Sequence, residues 1–555
     1  MGESTAAARN APWWLTDPGR WAAEKAALRA AGATVRRLPG TSNPTTGVMQ
    51  VSVGWPEVGR RLRLRVTFPP EYPWFPPEVT TDDTSIRRHH NPKSGALCLL
   101  ADPDAMWHPG TLLADLLTAQ LPRLLAANEL PLVDAAALEH HEAEGARTFV
   151  GTGQPVSLLV DPDHSSLPTQ TTSGWVHVGL HGPYDNLMIA VGRIADESGM
   201  CVAGQDWGPP FGQHQWLPWL RLDRSLTSAD TPARLWDHAR TTLPDMARKD
   251  GIVLLRFRDE IGYRTDGWAW LAIYGGTAPT WILAEPAGPR TWAARIPEYT
   301  HLARAHIVLI GTGSLGATIA TALACAGLGE LTLVDGDRVR AATICRQTPL
   351  STTGLPKTAA VAHACYDHQP GIVIHEVRAQ IGAVGEAHDL AATIPASDLV
   401  IDAAANPALS RWLATTCEPD TDLITAAGTW GAWGGSIVTY PTRGGGCWAC
   451  LELHRADHTL PWPPASPEPA ATDGCSAPTF PGAHHDLADL AHHAVRVAAT
   501  RLTGDTATWA DVTTLSLRTP DGQRIPPTWS ADDLPVHPAC RRPHRDSLLT
   551  PAQSA

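Results

Sequence analysis

The residues best spaced for chemistry in this 555-residue chain are a glycine turn, a Cys–Cys pair, a His–Cys pair and two isolated cysteines. Gly311, Gly313 and Gly316 stand in HIVLIGTGSLGATIATALACAGLGELTLVDGD, between an apolar run and an alanine-rich one. Glycines there let backbone N–H groups at a helix N-terminus face an anion with no Cβ in the way. Asp335 closes the next apolar run, where a carboxylate can bind ribose hydroxyls. Taken alone, this pattern suits a nicotinamide- or flavin-binding protein as well as an ATP site. Cys447 and Cys450 form a CxxC pair, and His537 stands three residues before Cys540. Two such pairs far apart suit a closed, structural zinc site, with His544 a substitute for His537; the other reading is simply buried thiols. Cys475, in the polar loop DGCSAPTFPG, sits outside any apolar run and is less suited to a core than most cysteines, the competing reading being a fourth zinc ligand. Cys98, in GALCLLAD, reads on its own as a strand-core thiol.

The elements that must carry these residues fall into three blocks, giving a multi-domain α/β and α+β chain. Residues 1–150 open on the helix former WAAEKAALRAAGA. The alternating segments GVMQVSVGW and RRLRLRVTF then read as neighbouring strands, and an apolar helix follows residue 110. Residues 151–299 carry the strand-like GWVHVGL, NLMIAVGRI, IVLLRFRD and GWAWLAIY without a catalytic motif, as expected of an α+β connecting or partner-docking domain. Residues 300–555 begin with strand, glycine turn, helix and strand, a βαβ unit that implies a doubly wound, Rossmann-like parallel sheet. The Pro- and Ala-rich stretch from Pro461 to Pro478 reads as a crossover loop.

Composition narrows the classes. The chain is 43% hydrophobic and 18% charged, ordinary for globular protein, and no stretch offers the ~20 apolar residues of a membrane span. The N-terminus lacks a secretory apolar core, so a cytoplasmic location is expected, with no membrane partner. With 56 acidic against 43 basic residues the net charge is −13, and no basic stripe offers itself to nucleic acid.

Downstream of Asp335 come Asp337, Arg346 and Gln347 in ATICRQ, and Lys357 in GLPK. Dinucleotide binding does not ask for an Arg and a Lys there, whereas adenylation of a carboxylate does, because two anions must be brought together. Over residues 300–550 the chain resembles the ubiquitin-activating and ThiF/MoeB-type adenylating enzymes. That resemblance implies ATP, magnesium, an acyl-adenylate and a homodimer. Adenylating relatives often carry a structural zinc built from two CxxC pairs; the HxxC pair departs from it. Two further departures stand out. Thr343 replaces the family's Asn, and the DxxDN segment reads Asp402-Ala403-Ala404-Ala405-Asn406, so that the magnesium-binding Asp falls on Ala405. Either Asp402 takes over the metal or the site is impaired. The position of Cys475 resembles the mobile cysteine that attacks the acyl-adenylate in thioester-forming members.

EYPWFPPEV, His89-His90-Asn91, Cys98 and Trp107-His108-Pro109 follow one another in the order of the ubiquitin-conjugating fold, which residues 45–130 resemble. By that resemblance Cys98 is the acceptor thiol and Asn91 stabilises the oxyanion; the bland alternative for Asn91 is a turn former beside Pro92. His90 replaces the central Pro of the family's triplet. The two modules in one chain resemble bacterial fusion proteins of cyclic-oligonucleotide-based antiphage signalling (CBASS). The expected activity is a relay from ATP and a protein's C-terminal carboxylate through Cys475 and Cys98 to a target amine. A ubiquitin-like protein or a nucleotidyltransferase is the expected donor. The rival readings are an NAD/FAD-dependent oxidoreductase, a scaffold with a decayed adenylation site, and a sulfur-transfer enzyme that needs Cys475 but not Cys98.

Overall fold

The computed structural model describes residues 12–38, 46–57, 59–83, 85–86, 89–91, 94–100, 106–129, 156–160, 167, 170–182, 187–204, 206–207, 211–224, 226, 230–243, 251–261, 264–382, 393–417, 421–467, 480–504, 509–542 and 544. They form two compact units, one of Met1–Asp206 with Gln213–Ala287 and one of Trp207–Gly212 with Gly288–Ala555. No described helix is long and apolar enough to cross a membrane.

The first unit begins with a helix, α1 (Pro18–Ala30), whose start is capped by the Asp17 carboxylate on Arg20 N–H. An antiparallel meander follows: β1 (Thr34–Arg37), β2 (Met49–Glu57), β3 (Arg60–Phe68) and β4 (Glu78–Thr80), in that spatial order. In β3 the period of two is strict: Leu62, Leu64, Val66 and Phe68 are buried while Arg61, Arg63 and Arg65 face solvent. One face of the sheet therefore packs on helices, and α2 (Leu113–Glu129) shares that core through Leu113, Leu117 and Leu121. Glu24 of α1 is wholly buried beneath it. Its carboxylate accepts from Leu113 N–H (3.0 Å) at the start of α2 and from Tyr72 Oη, and pairs with Arg20 at 2.9 Å.

The middle strands close on themselves. β5 (Val156–Val160), β12 (Thr280–Pro286), β11 (Arg264–Tyr274), β10 (Ile252–Ile261), β9 (Gln213–Leu222), β6 (Ser173–His181) and β7 (Leu187–Asp196) form a ring, because β5 pairs with both β12 and β7. A short β8 (Cys201–Ala203) adds to β7. Val176, Val178, Trp219, Leu254 and Trp270 gather in one core, and α3 (Pro232–Thr242) helps form a second with β9–β12. Four of these strands were expected from their apolar patterns; β9 hides in sequence because Pro218 interrupts it, yet that residue pairs with Trp175 across the ladder.

The second unit has an eight-stranded sheet. Its first five strands in space are parallel, in the order β15 (Val373–Val377), β14 (Glu330–Val334), β13 (His306–Ile310), β16 (Leu399–Asp402) and β17 (Asp422–Gly428). β18 (Gly434–Tyr440), β19 (Val512–Arg518) and β20 (Arg524–Asp532) continue it antiparallel. The longer helices are α4 (Ser314–Cys325), α5 (Lys357–His368), α6 (Pro407–Cys417), α7 (Trp448–Ala456) and α8 (His484–Thr503). β13 is apolar almost throughout, as a strand covered on both faces must be, and its residues divide between two cores.

Candidate active site and metal centre

Strand order reverses between β13 and β16, so the connections leaving these strands run to opposite sides and open a crevice at their carboxyl ends. A cavity of about 250 Å3 lies there, lined by Gly311, Gly313, Asp335, Asp337, Lys357 and Asn406 among others. Two glycines are what let the walls meet. Gly311 has φ +89°, and a Cβ on it would stand 2.7 Å from Ala404 Cα; a Cβ on Gly316 would stand 1.8 Å from the Gly311 carbonyl oxygen. At Gly313 the nearest atom to such a Cβ is Gln347 Nε2 at 3.8 Å, so this glycine keeps space open rather than packing tightly. Gly313 is the N-cap of α4 and no side chain caps that end, leaving first-turn amides to face an anion.

Asp335 is fixed by the glycine turn itself. Its Oδ2 accepts from Thr312 N–H (2.8 Å) and Thr312 Oγ1 (3.1 Å), and its Oδ1 accepts from Asp337 N–H (2.8 Å). The Lys357 ammonium lies 2.7 Å from Asp337 Oδ2 and 4.0 Å from Asp335 Oδ1. Gln347 is held by Thr343, whose hydroxyl donates to Gln347 Oε1 (2.7 Å). Arg346 turns to a distant segment: its Nη1 donates to the carbonyls of Phe480 and Gly482. Thr429 Oγ1 donates to Pro464 O (2.7 Å) and Ser466 N–H to Trp430 O (2.9 Å), while the Phe480 ring packs 5.8 Å from that of Trp430. The chain on either side of residues 468–479 is thus anchored to the turn around Trp430. Cys475 itself lies outside the described residues.

Asp402, expected at the nucleotide site, is placed apart from it. Asp402 does not line the cavity; its carboxylate is fully buried, with Oδ1 accepting from Ala404 N–H (3.0 Å) and Oδ2 from Ser410 Oγ (2.5 Å) on α6. Burial raises its pKa. A carboxylate so placed ties β16 to α6 and stands outside the cavity in which a cation would bind. Sequence reading also missed Ala379, Gln380 and Ile381 as wall residues. The signal was present, since the loop after an outer parallel strand ends at this same crevice.

In the metal cluster the structure sets His544, the substitute for His537, beside the three thiols. Cys447, Cys450, Cys540 and His544 bring their ligand atoms within 4.8 Å of one another. Cys447 Sγ is 3.8 Å from both Cys450 Sγ and Cys540 Sγ, and His544 Nε2 is 3.1 Å from Cys450 Sγ. Thiolates at ~2.3 Å from one zinc in a tetrahedron stand about 3.8 Å apart, so this donor set is compatible with zinc. Burial pushes the Cys447 thiol up to about 11, a penalty that binding as a thiolate to a cation would offset. His537, the ligand expected from the HxxC spacing, is engaged elsewhere. Its Nε2 faces Asp457 at 3.0 Å, its Nδ1 accepts from Ala539 N–H (3.1 Å), and only its backbone N–H reaches Cys450 Sγ (3.3 Å).

In the first unit, residues 89–91 and 96–98 form a small antiparallel ladder. Cys98 N–H donates to His89 O and Asn91 N–H to Ala96 O, both at 2.8 Å, around the bridge His90–Leu97. His90 and Leu97 turn inward and are buried, which puts His89, Asn91, Ala96 and Cys98 on the other face. Asn91 and Cys98 are diagonal neighbours there, a relation that sets residues roughly 7–8 Å apart and their Cβ atoms somewhat closer. Cys98 is exposed. The Asn91 Oδ1 accepts from Ser94 N–H (3.0 Å) in an Asx turn. His90, in place of a proline, holds the loop with ring nitrogens 3.0 Å from Ile86 O and 3.2 Å from Thr81 O.

Comparison with known proteins agrees with the geometry of the second unit. Residues 292–499 match the ThiF family. The chain is 26% identical over 583 residues to the uncharacterized protein y4oA of Sinorhizobium fredii, covering 95% of this chain and 97% of that protein. It is 33% identical over 158 residues to the molybdopterin-synthase adenylyltransferase of Escherichia coli, covering 28% of this chain and 61% of that enzyme. The crystal structure of E. coli MccB with ATP is 17% identical over 44% of this chain and 68% of that one, with a TM-score of 0.34. The family match and the molybdopterin-synthase relative support a ThiF/MoeB-type adenylation domain in the C-terminal part of the chain. Proteins of this class use ATP to activate a carboxylate.

Proposed function

We propose that this chain activates a partner protein's C-terminal carboxylate with ATP and passes the acyl group through two cysteines to an amine. One observation carries the reading: the cavity at the β13/β16 reversal combines a glycine turn, a fixed carboxylate pair and Lys357. In the proposed first step a carboxylate oxygen attacks the α-phosphorus of ATP and pyrophosphate leaves. Gly311, Gly313 and Gly316 give phosphate access to the first-turn amides, Asp335 accepts from ribose hydroxyls, and Lys357 compensates phosphate charge. Gln347, beside Gly313, is assigned to the nucleotide and Arg346 to positioning the crossover segment.

The thiolate of Cys475 then attacks the acyl carbon and AMP leaves. The Cys98 thiolate would then attack the same acyl carbon and the Cys475 thiolate leave, and attack by an amine would form an amide and free the Cys98 thiolate. Asn91 would stabilise the oxyanion through its carboxamide N–H groups, since its oxygen serves the Asx turn. The order of His89–Asn91, Cys98 and Trp107 supports a ubiquitin-conjugating-like domain for residues 1–150. The middle barrel, residues 151–299, would tether it to an adenylation domain of residues 300–555, raising the local concentration of one thioester near the next thiol. A homodimer, and a nucleotidyltransferase donor in antiviral defence, belong to the same proposal.

The family implies ATP and magnesium, but the acid that would hold the metal in DxxDN is Ala405 and the neighbouring Asp402 is buried, so no step is assigned to magnesium. Cys447, Cys450, Cys540 and His544 fit zinc, which would cross-link α7 to the C-terminal segment and leave no open position for catalysis. Ala405 also favours a second reading, a scaffold without ATP turnover.

ATP–pyrophosphate exchange and a non-reducing gel with a candidate carboxylate donor test the proposal. The relay predicts a thiol-sensitive adduct that is lost in Cys475→Ala and that, in Cys98→Ala, forms but never reaches an amine. Absence of both exchange and adduct with any candidate donor refutes the relay and favours the scaffold.

A further inference from the structure

The groups around the nucleotide cavity that could hold a divalent cation are already committed. Asp402 is inaccessible and hydrogen-bonded through both oxygens. Ala405, between the lining residues Ala404 and Asn406, carries only a methyl group, on a backbone with φ +54°. The Asn406 Oδ1 caps α6, accepting from Ala408 N–H (3.0 Å) and Leu409 N–H (3.4 Å). Among the described residues lining the cavity, the carboxylates are Asp335 and Asp337. Asp335 Oδ2 accepts two bonds from Thr312 and Oδ1 one from Asp337 N–H, which leaves a lone pair for a ribose hydroxyl, while the Lys357 ammonium stands between the two acids, 2.7 Å from one and 4.0 Å from the other. The ammonium thus fills the place between paired carboxylates where a metal would stand. Magnesium demands near-octahedral oxygen ligands at ~2.1 Å and gives up its waters reluctantly, so it does not readily displace that ammonium.

We propose that this cavity binds adenine nucleotide through Lys357 and backbone N–H groups, with an affinity that no protein-held divalent cation governs. The inference rests on the adenylation reading but departs from the metal requirement which that family implies. Position 405 is the point of departure. The left-handed backbone there is one that Asp tolerates better than most residues, so Ala405→Asp can restore an acid without refolding the loop.

The test is calorimetric titration of the full-length protein with ATP, once in excess magnesium and once in EDTA, for wild type and Ala405→Asp. The expected ratio of the two Kd values is under about threefold for wild type. For Ala405→Asp it rises above about tenfold, within the range usual for two ligands coupled at one site. A thermal melt checks that the variant is folded, and the wild-type ratio stands whether or not it is. A wild-type ratio above about threefold overturns the proposal, and its loss in Asp337→Asn would name the carboxylate that holds the metal. An unchanged ratio in folded Ala405→Asp also overturns it, by removing position 405 as the cause. No binding of ATP under either condition refutes the adenylation reading itself, a different failure from metal-dependent binding.

Discussion

Gly313 and Gly316 lie one turn of chain apart, yet substitution by alanine should separate stability from nucleotide binding. At Gly316 an added Cβ would lie 1.8 Å from the Gly311 carbonyl oxygen, well inside contact distance, and the atoms it strikes are backbone, which cannot swing aside as the end of a side chain can. Helix α4 must then move off β13. Overpacking of this kind costs about 1–3 kcal/mol and occasionally more. For a unit of this size ~3 kcal/mol lowers the melting temperature by roughly 6–12 °C. At Gly313 the backbone is ordinary, with φ −72°, and the nearest neighbour of a new Cβ is the end of a side chain at 3.8 Å. Alanine there costs little, because the small N-cap preference for glycine opposes the gain from a stiffer unfolded chain. The methyl group instead stands at the mouth of the first-turn amides. Loss of one such contact weakens ATP by at least ~10-fold, or about 1.4 kcal/mol. Differential scanning calorimetry and ATP titration on both variants measure the two effects. A Gly316→Ala protein that melts with wild type would refute the packing argument. Wild-type ATP affinity in Gly313→Ala would show that no phosphate approaches this amide.

Three further outcomes follow from the same geometry. His544→Ala should lose zinc from protein purified without chelator while His537→Ala keeps it, as read by elemental analysis; equal retention would return the ligand to the HxxC pair. Burial holds the Glu24 carboxyl above the usual carboxylate range despite its Tyr72, Leu113 and Arg20 partners. The folded state therefore keeps that proton longer than the unfolded chain, and this contribution to stability is full below the unfolded pKa and lost as pH rises through the folded one. Glu24→Gln should flatten that fall in melts taken from about pH 4 to 7, and an unchanged slope would assign it to other groups. His90→Ala should cost about 1–3 kcal/mol by taking the imidazole N–H from a buried backbone carbonyl, that of Ile86 or of Thr81. A domain melt that does not move would show that His90 is dispensable.

What the sequence determined by itself was local. The βαβ unit was legible because strand, turn and helix are contiguous, and a glycine whose Cβ would strike a carbonyl leaves its mark as a glycine. The strands β2 and β3 were legible because a half-buried sheet imposes a period of two on adjacent residues. The thiols of the metal cluster were visible as pairs. Tertiary structure alone decided which imidazole joins them: His537 has the shorter spacing to Cys540, but Asp457 and Ala539 occupy its ring nitrogens, and His544 stands beside Cys450. It decided that Asp402 points into the core and not the cavity, because Ser410 on the following helix accepts the role of partner. The contact of Arg346 with Phe480 and Gly482 likewise spans more than 130 residues of chain. Closure of the middle strands into a ring depends on β5 meeting β7 and β12 at once, two pairings far apart in sequence. Spacing encodes what neighbours in the chain can do together; which distant group satisfies a buried oxygen or nitrogen is settled only when the sheets and helices have packed.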